Sequence, residues 1–317
     1  MLAKLALLDW GGARTLSVRV NWRELDGDRY VRGGMPVDIV KQSKKAELLR
    51  KLHRGPRILI LPNAWDVISA RMIEDLGFPA VATTSAGVAA VLGYPDGQRT
   101  PQKEMLEFVA RIAHAVSVPV TADMEAGYGT TPAEMAEMAR EVVAAGIVGL
   151  NLEDVTGDDE SSHVKLELQL EKIAAIREAT ASAGVPLVIN ARTDIYLMPI
   201  GPAETRFDRT VERLRAYGKA GADCVFAPGI RDAETIGKLV RALDAPLNIL
   251  LQPGGAGVAE LEKLGVARAS LGSGTARVAL GTARKIAKAL LEYRDHTEFL
   301  EGAVSYDEVN RLLGRDA

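Results

Sequence analysis

Three carboxylates stand at the ends of two consecutive apolar segments, and their spacing suggests a metal site. Asp123 and Glu125 lie two residues apart just after the apolar run SVPV, and Glu153 lies at the end of the next apolar segment. Residues two apart on a strand face the same side, so these side chains are expected to meet on one rim, the edge formed by the carboxyl ends of the strands. Carboxylates that close repel one another unless a cation offsets their charge. Because oxygen ligands suit hard cations, the sequence predicts Mg²⁺ or Mn²⁺ here, with a salt-bridge network to Arg192 as the alternative.

Polar groups at the ends of other apolar segments could bind a small carboxylic acid. Thr84, Ser85 and Ala86 offer hydroxyls and backbone N–H groups, which together form an anion cradle. Close packing of small residues is the alternative for this stretch. The guanidinium of Arg192 could bind a substrate carboxylate through two parallel hydrogen bonds. Asn248 lies in a later segment, and we expect it to contact the substrate as well.

Two loops carry groups that could move a proton. The stretch from residue 155 to 166 is polar and contains glycine, as active-site lids commonly do. His163 in this loop could act as an acid or base once the loop closes, and an exposed loop histidine is the alternative. Asp96, in the loop 93–97, could also face the substrate. The sequence leaves open whether Asp96, His163 or a water molecule handles the proton.

The elements that position these groups are short apolar runs and amphipathic helices, which alternate from about residue 44 onward. The runs are apolar on both faces, which is typical of buried parallel strands. Eight such runs are present, at 57–66, 80–87, 118–125, 146–154, 185–194, 222–229, 246–254 and 267–274. Eight strands alternating with helices predict an α/β fold, a (β/α)₈ TIM barrel, with an open doubly wound sheet as the alternative. In a barrel the active site lies at the carboxyl ends of the strands, where the candidate groups occur.

The sequence divides into two parts. Residues 1–43 lack clear periodicity and hold two of the three tryptophans, so we interpret them as an N-terminal extension, partly disordered or packed as an arm. Residues 44–317 are predicted to form a single catalytic barrel with a helical tail after residue 275. A native start at Met35 is an alternative, in which case residues 1–34 do not belong to the protein.

The composition argues against several classes of protein. Of the 317 residues, 47% are hydrophobic and 26% are charged, as in ordinary globular proteins. The net charge of -3 offers no basic surface, so no nucleic-acid partner is expected. No apolar run approaches ~18 residues, so no membrane partner is expected either. Cys224 is the only cysteine, which rules out an internal disulfide and fits a cytoplasmic location.

Five motifs occur in order between residues 44 and 292: LPNAWD, TTSAGVAAVLGYPDG, TADMEAGYG, NLED and NARTD. On these motifs the chain resembles the isocitrate lyase/phosphoenolpyruvate mutase superfamily. The resemblance implies a Mg²⁺-binding TIM barrel that exchanges its last helix between the subunits of a homo-oligomer, either a tetramer or a dimer. It also implies chemistry on small α-keto acids or their adducts, which proceeds through an enolate.

The resemblance also implies roles for particular residues. Asp123, Glu125 and Glu153 match the carboxylates that hold Mg²⁺, largely through waters. The segment Thr84–Ala86 matches a cradle for a substrate carboxylate. Arg192 matches an arginine that contacts the substrate.

Several departures from the family pattern bear on the substrate. Residues 156–163 contain no cysteine, unlike the Lys-x-Cys-Gly-His lid of the isocitrate and methylisocitrate lyases, and they also lack the Lys-Thr-Asn-type lid of the mutases. The acidic residues 158–160 would repel a phosphoryl group. Glu125 stands where many members have aspartate. Asp96, in contrast, matches the aspartate that lies close to the transferring group in the mutases.

These features predict a Mg²⁺-dependent lyase that cleaves a C–C bond of a small 2-keto or 2-hydroxy dicarboxylic acid through an enolate. Decarboxylation of oxaloacetate or cleavage of a malate derivative fits this description. The first alternative is P–C bond chemistry of the phosphoenolpyruvate phosphonomutase or phosphonopyruvate hydrolase type. The second alternative is a barrel that binds keto acids without catalysis.

Overall fold

The computed structural model describes residues 38–157, 163–292 and 300–314. The strands in these ranges are β1 Leu59–Leu61, β2 Asn63–Ala64, β3 Val81–Thr83, β4 Val120–Asp123, β5 Gly149–Leu152, β6 Val188–Arg192, β7 Cys224–Phe226, β8 Leu247–Leu250 and β9 Arg268–Ser270. They form one nearly closed, parallel barrel in the order β1-β9-β8-β7-β6-β5-β4-β3-β2. The predicted TIM-barrel architecture is confirmed.

The first predicted strand is divided in two. The run 57–66 forms β1 and β2 on either side of Pro62, which has no backbone N–H to continue a ladder. The strand β1 pairs with β9, whereas β2 pairs with β3. One continuous stretch of chain therefore joins the two edges of the sheet and closes the barrel.

Helices alternate with the strands. They are α1 Ile39–Leu52, α2 Val67–Asp75, α3 Ser85–Leu92, α4 Gln102–Ala115, α5 Pro132–Ala144, α6 Leu166–Ser182, α7 Arg206–Lys219, α8 Ala233–Ala242, α9 Val258–Leu264, α10 Gly274–Leu291 and α11 Tyr306–Leu313. A capping box begins α5, because the Thr131 side chain accepts from the Glu134 N–H and the Glu134 carboxylate accepts from the Thr131 N–H. None of the helices in the described ranges combines the length and the apolar character needed to cross a bilayer.

Helix α1 packs on the barrel and begins ahead of the predicted start of the barrel domain. Its first residue is Ile39. The buried side-chain amide of Gln42 donates to the carbonyls of Val143 and Ile147, at 2.8 Å each. The first turn of α1 is therefore fastened to the chain around the end of α5. Residues 1–37 lie outside the described ranges, so the division into an extension and a barrel stays a prediction.

Helix α10 leaves most of its apolar surface uncovered. Val278 is 70% exposed and Leu291 is 80% exposed, whereas Ala276 and Ala289 are the buried residues of this helix. Large apolar side chains uncovered on a helix mark a surface that a partner can cover. The predicted exchange of the last helix between subunits stays a prediction.

Candidate active site

Asp123 is the last residue of β4, at the carboxyl end of the barrel where the site was predicted. Its buried carboxylate accepts hydrogen bonds from the Ser85 hydroxyl at 2.9 Å and from the Ser85 N–H at 3.2 Å. The side-chain amide of Asn151, in β5, donates to the other carboxylate oxygen at 3.3 Å. These bonds hold the carboxylate between β4, β5 and the start of α3.

Glu125 reaches the same rim, but strand alternation does not bring it there. The strand β4 ends at Asp123, and Glu125 has a φ of 50°, in the left-handed region. Its carboxylate accepts from the Tyr128 hydroxyl at 3.0 Å and from the backbone N–H of Gln98. The expectation that Asp123 and Glu125 share a face because they lie two apart on one strand is therefore wrong. A turn after the strand, rather than the pleat, sets the direction of the Glu125 side chain.

Glu153 is the residue after β5, and its backbone contacts the turn that follows β4. Its N–H donates to the backbone carbonyl of Glu125 at 2.8 Å, so the segments that carry these two carboxylates run side by side. Its carboxylate pairs with Nη1 of Arg192. The ion-pair network that the sequence offered as an alternative thus exists for Glu153. Asp123 and Glu125 take the hydrogen bonds described above from other groups.

Arg192, the last residue of β6, is held by two carboxylates. Besides Glu153, Asp194 accepts from Nε at 2.5 Å and from Nη2 at 2.8 Å. Burial by itself lowers the pKa of Arg192, but the charges of Glu153 and Asp194 outweigh burial and raise it. A guanidinium has five N–H donors, so these three bonds leave two for a substrate. The direction in which Arg192 presents those donors is fixed by its partners.

The rim holds more negative charge than its arginine offsets. Burial, together with the nearby charges of Asp123 and Asp96, raises the pKa of Glu125 to about 7. Burial also raises the pKa of Glu153, against the opposing charge of Arg192. Carboxyl groups whose pKa is raised in this way are stabilised as anions when a cation binds beside them.

The donor set fits a hard divalent cation. All the candidate ligand atoms are carboxylate oxygens, which Mg²⁺ prefers, and a cation would relieve the repulsion among them. Across the described ranges, no three His, Cys, Asp or Glu side chains converge closely enough to hold one ion directly. Ligation by Asp123, Glu125 and Glu153 therefore requires waters between the ion and part of this set, as the resemblance implied.

The segment Thr84–Ala86 forms the start of α3, beside Asp123. Thr84 is the N-cap residue, and its hydroxyl accepts from the N–H of Gly87 at 3.4 Å. Because the Ser85 N–H and hydroxyl both bond Asp123, the N-terminus of α3 faces the rim. The positive end of a helix dipole suits an anion. The Ser85 N–H and hydroxyl already bond Asp123, and the Gly87 N–H bonds Thr84, so a substrate carboxylate at this point would have to use the N–H of Ala86.

His163 is bound to Asp154 and is not an exposed loop residue. Its Nε2 lies 3.1 Å from Oδ2 of Asp154, and its side chain is 10% exposed. Arg213 and Tyr217 also donate to this carboxylate, at 2.8 Å and 2.6 Å. Burial raises the pKa of Asp154, but hydrogen bonding to His163 and the charge of Arg213 lower it to about 2. Residues 158–162 of the same loop lie outside the described ranges, and proton transfer by His163 stays a prediction.

The two remaining predicted site residues lie at different depths. Asn248, in β8, is fully buried, and its amide nitrogen donates to the Ser270 hydroxyl at 3.3 Å. Its side chain has no exposed surface, and its contact with a substrate stays a prediction. Asp96 is exposed, and its charge adds to burial in raising the pKa of Glu125. Asp96 therefore lies within electrostatic range of the rim.

Sequence reasoning missed three partners of the rim carboxylates and of Arg192. They are Gln98 and Tyr128, which bond Glu125, and Asp194, which bonds Arg192. Gln98 and Tyr128 each follow a glycine in a polar loop, which is a recognisable signal for a tight turn. That signal does not reveal which side chain the turn will meet.

Comparison with known proteins confirms the resemblance. A family model described as phosphoenolpyruvate phosphomutase matches residues 49–291. Oxaloacetate decarboxylase 2 of Pseudomonas fluorescens (strain Pf0-1) is 33% identical over 68% of this chain and 73% of its own length. The crystal structure of a candidate lyase/mutase from Burkholderia cenocepacia J2315 matches with a TM-score of 0.80 and 38% identity, covering 87% of this chain and 98% of that one. A phosphonopyruvate hydrolase in complex with oxalate and Mg²⁺ matches with a TM-score of 0.73 and 25% identity, covering 85% of this chain and 95% of that one.

Proposed function

Because the chain belongs to the phosphoenolpyruvate phosphomutase family, we propose that it cleaves a C–C bond of a small 2-keto or 2-hydroxy dicarboxylic acid with the help of Mg²⁺. It is an enzyme of the isocitrate lyase/phosphoenolpyruvate mutase superfamily, which includes carbon–carbon lyases. Oxaloacetate is the leading substrate and a malate derivative the next. The observation that carries the proposal is the meeting of Asp123, Glu125 and Glu153 beside a fixed Arg192 at the strand ends.

The three rim carboxylates would hold Mg²⁺, with waters completing the shell. When bound, the ion supplies positive charge that stabilises the enolate oxygen of the substrate. Ser85 and Asn151 keep the Asp123 carboxylate oriented through the hydrogen bonds described above. The relative that was solved with oxalate and Mg²⁺ supports this cofactor.

Arg192 and the start of α3 orient the acid. Arg192 keeps two N–H donors for a substrate carboxylate, and the first turn of α3 suits a second anionic group. In oxaloacetate the bond between C3 and C4 then breaks, carbon dioxide leaves, and the electron pair forms the enolate of pyruvate. A proton from water or from Asp96 adds to C3 and completes pyruvate.

Cleavage of a P–C bond is the second candidate. The similarity to a phosphonopyruvate hydrolase favours it. The excess of negative charge at the rim opposes it, because a phosphoryl group carries up to two negative charges. The third possibility, a keto-acid-binding barrel without catalysis, has no support from these relatives.

A panel of 2-keto and 2-hydroxy acids, assayed with and without Mg²⁺, tests the proposal. Pyruvate, oxalate and phosphate are measured in the same reactions. We expect pyruvate without phosphate, and loss of the product when EDTA removes the metal. Release of phosphate from phosphonopyruvate would select the second candidate instead.

Two matched variants test the role of the rim. Asp123→Asn removes one charge from the carboxylate set, and we expect kcat/KM to fall at least about 100-fold with weaker Mg²⁺ binding. Asp223→Asn is the control, because Asp223 pairs with Arg50 and Arg177 just before β7, at the opposite end of the barrel. It should lower stability and leave kcat/KM within about threefold. Turnover that survives both EDTA and Asp123→Asn would contradict the proposed function.

A further inference from the structure

Three residues beside the rim share a rare backbone conformation and bond to one another. Gln98, Glu125 and Tyr128 have φ values of 57°, 50° and 61°. Within the described ranges, Pro199 is the one other non-glycine residue with a positive φ. Such conformations persist only where surrounding contacts impose them, and they cluster at functional sites. Their concentration here indicates that mutual contacts hold two loops in a set shape.

The contacts form a ring between the loop 93–99 and the turn after β4. The backbone N–H of Gln98 donates to Oε2 of Glu125, and the Tyr128 hydroxyl donates to Oε1 at 3.0 Å. The backbone N–H of Tyr128 donates to the side-chain oxygen of Gln98 at 2.9 Å. Glu125 is only 5% exposed, so water competes little for these bonds.

We propose that Gln98 and Tyr128 are positioning residues, which latch the loop 93–99 and its Asp96 against the rim carboxylate of Glu125. The inference rests on the proposed function, because that function places a substrate at the rim beside this loop. Gln98 and Tyr128 act on the loop backbone, and the Glu125 carboxylate is the fixed point to which they tie it. The consequence of the latch is a defined place for Asp96 above the site.

The length of the Glu125 side chain makes the latch possible. Aspartate at this position would end about 1.5 Å short, the length of one C–C bond, and would not reach the Gln98 N–H. Each oxygen of the Glu125 carboxylate accepts one bond in the ring and keeps a further lone pair for a water. The latch and a water-mediated metal shell are therefore compatible uses of one carboxylate.

Hydrogen–deuterium exchange of the peptide 93–101 measures the latch without a catalytic assay. We expect slow exchange of the Gln98 amide in the wild type, and exchange at least about tenfold faster in Tyr128→Phe and in Glu125→Asp. The matched control is Tyr94→Phe, which removes a hydroxyl on the same loop that bonds an exposed carboxylate of α4. This control should exchange like the wild type. Equal exchange in all four proteins would overturn the proposal.

Kinetics show whether the latch serves the site. Gln98→Met keeps the length of the side chain and removes the acceptor for the Tyr128 N–H, and Tyr128→Phe removes the bond to Glu125. In both variants we expect kcat to fall at least about tenfold, KM to stay within about threefold and half-saturation by Mg²⁺ to stay within about twofold. A parallel loss of Mg²⁺ affinity would overturn the proposal, since both residues would then act on a metal ligand and not on the loop.

The two measurements separate failure of the latch from failure of the proposed function. If the wild type turns over no acid of the panel, the exchange experiment still decides whether Gln98, Glu125 and Tyr128 hold the loop. If the wild type is active and the variants match it in both exchange and kcat, the proposed function stands and the latch is wrong.

Discussion

Arg192 and Asp194 form a two-point ion pair at the carboxyl end of β6, with Nε to Oδ1 at 2.5 Å and Nη2 to Oδ2 at 2.8 Å. The backbone N–H of Asp194 donates to Oδ1 of Asp154 at 3.1 Å, and Asp154 also accepts from Arg213 and Tyr217 of α7. The direction of Arg192 is thus set by a chain of buried contacts that runs from the rim to α7. Two parallel hydrogen bonds fix a guanidinium more strictly than a single contact does.

We expect Asp194→Asn to lower kcat/KM at least about tenfold, because the amide leaves one Arg192 donor unpaired and the guanidinium free to turn. Loss of a charge from this buried pair should lower the free energy of unfolding by roughly 3 kcal/mol, as measured by urea denaturation. Asp223→Asn, which disturbs the pair with Arg177 just before β7, is the control and should lose stability alone. Equal losses of kcat/KM in the two variants would show that Asp194 has no special role at the site.

The helix start that faces the rim tolerates no added side chain at Gly87. A Cβ there would lie 2.6 Å from Cγ2 of Thr84 and 2.8 Å from Cβ of Trp65. We expect Gly87→Ala to displace the start of α3, to raise KM at least about fivefold and to cost about 1–3 kcal/mol of stability. Gly281→Ala in α10 is the control, since its Cβ would meet nothing within 4 Å, and it should leave KM unchanged. A KM equal to that of the wild type in Gly87→Ala would show that the start of α3 does not contribute to substrate binding.

His53 makes stability depend on pH. Burial and the charge of Arg268 lower its pKa from 6.5 to about 4 in the folded protein. As the pH falls below 6.5 the unfolded chain binds a proton that the folded chain does not, so stability decreases down to about pH 4. Between pH 7 and pH 5 the free energy of unfolding should fall by about 2 kcal/mol for this reason. Urea denaturation of the wild type and of His53→Gln at both pH values measures the fall. The same pH dependence in the two proteins would contradict the prediction.

The exposed apolar residues of α10 predict a subunit interface. Leu280 and Leu291 are 58% and 80% exposed, and they lie about three helical turns apart on one side of the helix. We expect the wild type to be a homo-oligomer, and the double variant Leu280→Glu with Leu291→Glu to form smaller species in size-exclusion chromatography with light scattering. Leu76→Glu, at the end of α2 and 75% exposed, is the matched control and should keep the wild-type mass. An unchanged mass in the double variant would place the interface elsewhere.

The sequence by itself determined the architecture and the end of the barrel that carries the chemistry. The apolar runs could be recognised as strands because a strand buried on both faces must be apolar on both faces. Once the runs indicate a barrel, their carboxyl ends share one rim, so Asp123, Glu153 and Arg192 could be assigned to it without coordinates. The cap of α5 at Thr131 can also be recognised from the sequence, because its partner Glu134 lies only three residues away.

Only the tertiary structure decided which groups meet on that rim. Glu125 leaves the strand in a left-handed turn and bonds the backbone of Gln98, a residue from a different loop. His163 is held by Asp154, and Asn248 is sealed inside the barrel. The spacing of apolar residues predicts which positions are buried, because side chains of a strand or helix turn toward the core at a regular interval along the sequence. The partner of a polar side chain depends on where turns bring distant segments together, and no local repeat encodes that.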